Sequence, residues 1–254
     1  ISMNDKVNIL GVNIDILTME SAMKSISGYL ESDNTHAIFT PNSEILLMAY
    51  NDKQFADILN SASMLTADGI GVVYASRILK KPITERVCGY DLACNILEHA
   101  AADGSGVFLL GAKPGVAEIA AQNIKNQFPG AAIAGTQDGY FQSIDDEKIV
   151  EKINESGAKI LFVCLGAPKQ EMWIYKNKHL LKPKVVIGVG GSLDVFAGEV
   201  ERAPQGWQKL GLEWLYRLIK EPKRICRMCA LPIFGFTVLF CGKRYKKGCD
   251  TNER

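Results

Sequence analysis

The chain has 254 residues, 47% of them hydrophobic and 22% charged, enough to bury a substantial core as one large or two small domains. Its composition is that of an ordinary soluble globular protein, which excludes disordered and low-complexity classes. The formal net charge of +1 conceals a division: residues 1–201 carry 17 Lys and Arg against 24 Asp and Glu, and residues 202–254 carry 12 against 4. An acidic body at −7 therefore precedes a basic tail at +8, and such a tail calls for an anionic partner, a membrane surface or nucleic acid.

Short apolar runs alternate with helix-period segments along the body. His36 to Thr40, Met64 to Ala67, Gly106 to Gly111, Ala131 to Gly135, Lys159 to Gly166 and Lys184 to Gly188 read as buried strands. Ser43 to Tyr50, Tyr90 to Ala102, Val116 to Phe128, Asp145 to Ser156 and Lys169 to His179 read as helices between them. This rhythm predicts an α/β, Rossmann-like layered fold, with a mainly parallel sheet covered on both faces and a ligand site at the carboxyl ends of the strands. Residues 1–200 are expected to form the α/β body and 201–254 a C-terminal helical appendage that associates with membrane.

Unusual residues collect at those strand ends. Thr66-Ala67-Asp68-Gly69-Ile70-Gly71 sets a carboxylate after a short strand and before two glycines, where a substrate hydroxyl can reach it. That suits a general base, and the competing reading is that Asp68 N-caps the helix implied by Val72, Val73, Ala75 and Ile78. Thr40-Pro41-Asn42, Gly111-Ala112-Lys113-Pro114-Gly115, Asp138-Gly139-Tyr140-Phe141, Gly166-Ala167-Pro168-Lys169-Gln170-Glu171 and Gly188 to Asp194 follow the other strands. Pro114 near a helix start makes an anion cradle, and six such turns on corresponding ends favour a nucleotide or sugar-nucleotide site. The sequence has no P-loop, and Gly188-Val-Gly190-Gly191 lies too late in the chain for a nicotinamide fingerprint. His36, His99 and His179 read as structural or surface residues.

From Arg202 the character changes. Trp207, Leu210, Trp214, Leu215 and Leu218 fall at helical spacing, with Lys209, Arg217 and Lys220 opposite. This predicts one amphipathic helix up to Pro222, able to dock on the body, lie in a lipid interface or pack in a homo-oligomer. Met228 to Cys241 is an uncharged run of 14 residues before Lys243-Arg244-Tyr245-Lys246-Lys247. A spanning helix needs about 20 apolar residues, so interfacial or re-entrant burial beside anionic lipid is expected, with a core helix ending in a solvated basic turn as the competing reading, and nucleic acid is not expected. The seven cysteines are an odd, scattered set that reads as reduced thiols of a cytoplasmic protein, and Cys226-Arg-Met-Cys229 lacks the second pair that a zinc site needs. No signal peptide is evident, so the expected location is the cytoplasmic side, peripherally attached to the inner face of the membrane.

Taken in order, Thr40-Pro-Asn42-Ser-Glu44, Ala67-Asp68-Gly69, Glu85-Arg86-Val-Cys-Gly89-Tyr-Asp91, Leu110-Gly111-Ala-Lys-Pro114-Gly115, Gly139-Tyr140-Phe141, Gly166-Ala-Pro168-Lys-Gln170-Glu171, Gly190-Gly191-Ser-Leu-Asp194, Arg202-Ala-Pro204 and Glu213-Trp214-Leu-Tyr216-Arg217 resemble the WecG/TagA/CpsF glycosyltransferase family, closely its TagA branch. The resemblance implies inverting transfer of N-acetylmannosamine from its UDP donor to the 4-hydroxyl of N-acetylglucosamine on undecaprenyl diphosphate, in wall teichoic acid linkage-unit synthesis. It implies no metal and no other cofactor. By the same resemblance Asp68 is the base, and Thr40 and Gln170 orient the substrates. Arg86 meets the departing diphosphate, together with Arg217, Arg224 and Arg227 of the appendage. Asn42 is assigned to the donor, Tyr140 and Asp194 to uracil or ribose, and Gly111, Gly166 and Gly191 to the substrate-binding turns. An alternative for Arg86 is an ion pair with Glu85 or Asp91. The competing functions are a different donor in the same family, UDP-N-acetylmannosaminuronic acid or UDP-glucose, and a non-catalytic membrane-associated nucleotide-binding protein.

Overall fold

The computed structural model describes residues 5–209, 211–220 and 230–249. The described chain opens with an antiparallel hairpin, β1 (Lys6–Ile9) and β2 (Val12–Asp15), in which Ile9 pairs with Val12. Both turn residues, Leu10 and Gly11, have positive φ, the geometry that matches the twist of a two-residue hairpin. The sequence reading did not anticipate this hairpin. Its apolar alternation (Val7, Ile9, Val12, Ile14) is only four residues per strand, and a leucine occupies one of the turn positions where Asn or Gly would signal it. The reading also missed helix α1 (Met19–Leu30), which Thr18 and Ser21 cap reciprocally while Ala22, Ile26 and Tyr29 point inward.

Six strands form the main sheet: β3 (His36–Phe39), β4 (Met64–Leu65), β5 (Val107–Gly111), β6 (Ile133–Gln137), β7 (Ile160–Cys164) and β8 (Val185–Gly188). Their order is β4-β3-β8-β7-β5-β6 and every pairing is parallel, as the α/β rhythm predicts. The two-residue period divides each strand between two cores. Phe39, Leu65, Phe108, Leu110, Leu161, Val163 and Val186 face α2 (Ser43–Asn51), α3 (Lys53–Asn60), α4 (Ile70–Ile78), α7 (Asp146–Glu155) and α8 (Lys169–Asn177). Ile38, Met64, Val107, Leu109, Ile160, Phe162 and Ile187 face α1, α5 (Gly89–Asp103), α6 (Val116–Gln127) and α9 (Ser192–Phe196). At about 1.5–3 kcal/mol for each large side chain fully buried, the five buried residues of β7 make it a central girder of the fold.

The connections determine where a ligand can sit. Strands β3 and β7 lead into α2 and α8 on the first face, while their neighbours β8 and β5 lead into α9 and α6 on the second. Chains that diverge from adjacent parallel strands open a crevice at the carboxyl ends.

The tail departs from the single helix predicted. Gly211, at φ +71°, separates α10 (Gln205–Lys209) from α11 (Glu213–Lys220) and lies so close to α4 that a Cβ there would meet Ile70 Cγ1 at 3.0 Å. Helical spacing of the apolar residues continues across a position where the backbone turns left-handed. After the undescribed residues 221–229, which hold Pro222 and the Cys226–Cys229 pair, α12 (Ala230–Cys249) is one helix of 20 residues. Pro232 falls in its first turn, where a missing N–H breaks no helical bond. Phe234 and Val238 enter the core against α2 and α4, whereas Ile233, Phe236 and Phe240 face outward, Phe236 stacked on Phe240. Among the described residues no helix is long and apolar enough to cross a membrane.

Candidate active site

Asp68 stands at the carboxyl end of β4, tied to the turn after β3 by its N–H bond to the carbonyl of Pro41 at 3.2 Å. It does not cap α4. Gly69, at φ +104°, takes the capping position without a side-chain bond, and Asp68 Oδ2 instead accepts from the N–H of Gly89, the first residue of α5, at 3.4 Å. The positive end of a 15-residue helix therefore faces a half-buried carboxylate.

Thr40 and Asp68 both approach Gly89, and Thr40 and Gln170 both approach Gly188. Thr40 is buried at the end of β3, donates to the Gly188 carbonyl at 3.1 Å, and lies so near Gly89 that a Cβ there would meet its Oγ1 at 2.9 Å. Gln170, at the start of α8, packs on Gly188, accepts from the Gly190 N–H at 3.0 Å and donates to Glu171 Oε1 at 2.8 Å. Its amide is thus fixed in one orientation. Burial pushes the Glu171 carboxyl above the usual range, and its Oε2 has no hydrogen-bond partner among the described residues. Asn42 caps α2 through Oδ1, 3.0 Å from the Ile45 N–H.

Beyond β8 the crevice is made of backbone. Gly111, at φ +131°, packs so tightly on β7 that a Cβ would lie 2.3 Å from the Cys164 carbonyl oxygen. Gly115, in the left-handed region, caps α6 with no side chain, and the first amide of that helix, at Val116, donates to the Lys113 carbonyl at 3.0 Å. Gly139 bonds the Ala112 carbonyl, and Lys169 reaches across to the Gly139 carbonyl at 3.0 Å, its ammonium over the Phe141 ring. Tyr140 is 71% exposed beside an open cleft of about 470 Å³ lined by Gly139, Tyr140, Phe141, Gln142, Leu165 and Lys169. Gly166, at φ +73°, bends the turn after β7, while Gly191 caps α9 with Asp194 in its first turn.

Arg86, just before α5, pairs with neither Glu85 nor Asp91. Its Nη1 donates to Glu213 Oε2 of α11 at 3.1 Å, while Glu85 accepts from the Met19 N–H at the start of α1. Burial works against the charge of Arg86, but Cys88, Glu213 and Asp68 around it hold its pKa above the usual value. Asp91 belongs instead to Arg202, whose Nη1 and Nη2 lie 2.5 and 2.8 Å from its two oxygens. Burial opposes ionisation of Asp91, yet bonds from Arg202 and the Cys88 thiol hold it below the usual carboxylate range. Burial likewise pushes the Cys88 thiol far up, so at neutral pH it is a hydrogen-bond donor and not a thiolate.

All of Thr40, Asn42, Asp68, Gly111, Tyr140, Gly166, Gln170, Gly191 and Asp194 thus lie at one edge of the sheet, and Arg86 is near enough to Asp68 for their charges to interact. Arg217 is on α11 with its side chain outside the described residues, as are Arg224 and Arg227 entirely. No local spacing signals that Arg202 pairs with Asp91 or Glu213 with Arg86, each across more than a hundred residues.

The family model described as the glycosyl transferase WecG/TagA/CpsF family matches residues 7–248. Two relatives, both named N-acetylglucosaminyldiphosphoundecaprenol N-acetyl-beta-D-mannosaminyltransferase, come from Staphylococcus aureus strains MRSA252 and MW2. They are 38% and 37% identical over 244 residues, covering 95% of this chain and 95% of each relative. A match along the whole sheet, with glycine turns and polar residues gathered at its carboxyl edge, has one consequence: this chain belongs to the WecG/TagA/CpsF family of glycosyl transferases.

Proposed function

We propose that this transferase moves N-acetylmannosamine from UDP-N-acetylmannosamine to the 4-hydroxyl of N-acetylglucosamine on undecaprenyl diphosphate, with inversion and without a metal, in the linkage-unit step of wall teichoic acid synthesis. The observation that carries the reading is the Asp68 carboxylate held against the N-terminus of α5 at Gly89, where Thr40 also packs, with the Arg86 charge within reach. The names of the relatives support the lipid-linked acceptor and the transferred N-acetylmannosamine.

Asp68 takes the proton of the acceptor 4-hydroxyl as its oxygen attacks the anomeric carbon. The bond from that carbon to the diphosphate breaks on the opposite face, and UDP leaves with the electron pair. The added negative charge is assigned to Arg86, held in place by Glu213, and to backbone amides at the strand ends, donors that need little rearrangement during the reaction. Arg217, Arg224 and Arg227 join this clamp in the proposal. Thr40 and Gln170 orient the two sugars, Asn42 touches the donor, Tyr140 and Asp194 hold uracil or ribose, and Gly111, Gly166 and Gly191 let the nucleotide approach the backbone.

The outward face of α12 (Ile233, Phe236, Phe240) is assigned to the membrane interface, on the inner leaflet where the lipid-linked acceptor lies. Each basic residue of the neighbouring Lys243 to Lys247 run adds about 1 kcal/mol of attraction to anionic lipid. The test is turnover with UDP-N-acetylmannosamine and a polyprenyl-diphosphate N-acetylglucosamine analogue, with and without chelator. UDP release unchanged by EDTA is expected. Faster turnover with UDP-glucose or the uronate donor would overturn the donor assignment, and absence of transfer with any of the three would overturn catalysis.

A further inference from the structure

Two ion pairs connect the segment after the sheet to the candidate site through one acidic residue. Glu213 lies between two guanidinium groups: its Oε2 accepts from Arg86 at 3.1 Å, and its Oε1 is 4.0 Å from Nε of Arg202. That Nε is buried and has no hydrogen-bond partner among the described residues, so Glu213 is the carboxylate placed to receive it. Arg202 is itself firmly seated. Asp91 grips it through two nitrogens, and its guanidinium lies 4.8 Å over the Tyr90 ring, which stacks on Phe196. Charges therefore alternate through Asp91, Arg202, Glu213, Arg86 and Asp68.

We propose that Glu213, seated by Arg202, is a positioning residue that holds Arg86 toward the departing diphosphate and away from direct pairing with Asp68. The inference rests on the roles assigned above to Arg86 and Asp68. Its physical content is a competition between two carboxylates for one cation. A guanidinium carries five N–H donors in a rigid fork, so Nη1 can bind Glu213 while other donors face an anionic ligand. Without Glu213, Arg86 retains Asp68 as a counter-charge. A direct Arg86 to Asp68 pair would lower the basicity of the carboxylate and withdraw the cation from the leaving group. Because Glu213 belongs to α11, docking of this segment and assembly of the site become one event. The Glu213 and Arg86 side chains are only 12% and 19% exposed, so solvent screens their pairing weakly.

The experiment is a double-mutant cycle on the full-length protein, with turnover measured for Arg86→Ala, Glu213→Ala and the combination, Glu213→Asp as the conservative variant, and UDP affinity and melting temperature measured for each. We expect Glu213→Ala to lower kcat about 10- to 100-fold, the scale of a misplaced catalytic group. UDP affinity should fall no further than in Arg86→Ala, Glu213→Asp should restore part of both rate and affinity, and the loss should disappear in the Arg86→Ala background. Equal losses from Glu213→Ala with and without Arg86, or an unchanged kcat, would overturn the inference while leaving the Arg86 assignment intact. A fall in kcat that follows melting temperature across the variants, without rescue by Glu213→Asp, would also overturn it by showing a purely structural role. If Arg86→Ala itself leaves turnover unchanged, the failure lies with the assigned role of Arg86.

Discussion

The two sides of the crevice are built from different material. Around β3 and β4 the strand ends carry polar side chains (Thr40, Asn42, Asp68), and around β5, β6 and β7 they carry more glycine, with Gly111, Gly115 and Gly166 at positive φ beside Tyr140, Lys169 and Gln170. A side-chain surface can move a proton. A backbone surface has no group that titrates near neutral pH, but it offers donors at fixed positions, which suits phosphate. The division assigns chemistry to one side and nucleotide binding to the other, and variants can probe each side alone.

The largest effect belongs to the side-chain half. Asp68→Asn keeps the shape and removes the base, and turnover should fall by roughly 10² to 10⁴ in the transfer assay. On the same side, α12 is fastened by Phe234, and Phe234→Ala should cost about 3–5 kcal/mol in denaturant unfolding, the range for emptying a buried aromatic site. Phe236→Ser on the outward face should change stability by no more than about 0.5 kcal/mol and instead weaken sedimentation with anionic vesicles. Equal effects from the two would erase the distinction between the faces of α12.

The backbone half should respond to added atoms and not to lost charge. Gly111→Ala places a methyl group against the Cys164 carbonyl and should destabilise the fold by about 3 kcal/mol or more. Gly115→Ala meets nothing within 4 Å and should cost only the roughly 1–2 kcal/mol of a left-handed backbone, read by thermal melting. The smallest effect is expected at Glu171. Burial raises its pKa, so the folded protein holds the proton more tightly than the unfolded chain, and stability drains as pH rises from the ordinary carboxylate range through the raised value. Glu171→Gln should therefore melt above the wild type at pH 8, with the gap closing as pH falls toward 4. A gap that widens on acidification would contradict this assignment.

The same division explains what the sequence reveals. Glycine-rich turns after apolar strands are local signals, so the backbone side, the parallel sheet and the place of Asp68 can all be read from spacing. The pairing of Arg86 with Glu213 cannot, because it joins residues 127 apart through the docking of α11, and nearer carboxylates at Glu85 and Asp91 present themselves first. The break at Gly211 is hidden for a related reason: apolar residues keep helical spacing across it, and only contact with Ile70 of α4 explains the left-handed turn. The β1 and β2 hairpin escapes because each strand is too short for its alternation to stand out.

The separation of binding from chemistry is most directly examined by titrating UDP into Asp68→Asn protein by calorimetry, beside turnover measured on the same preparation. Affinity within about twofold of wild type, with transfer lost, is the expected result, because the proposed function gives the phosphates to amides and arginines and not to this carboxylate. If UDP affinity falls in step with turnover, Asp68 belongs to the nucleotide site, and the division between the two sides of the crevice is wrong.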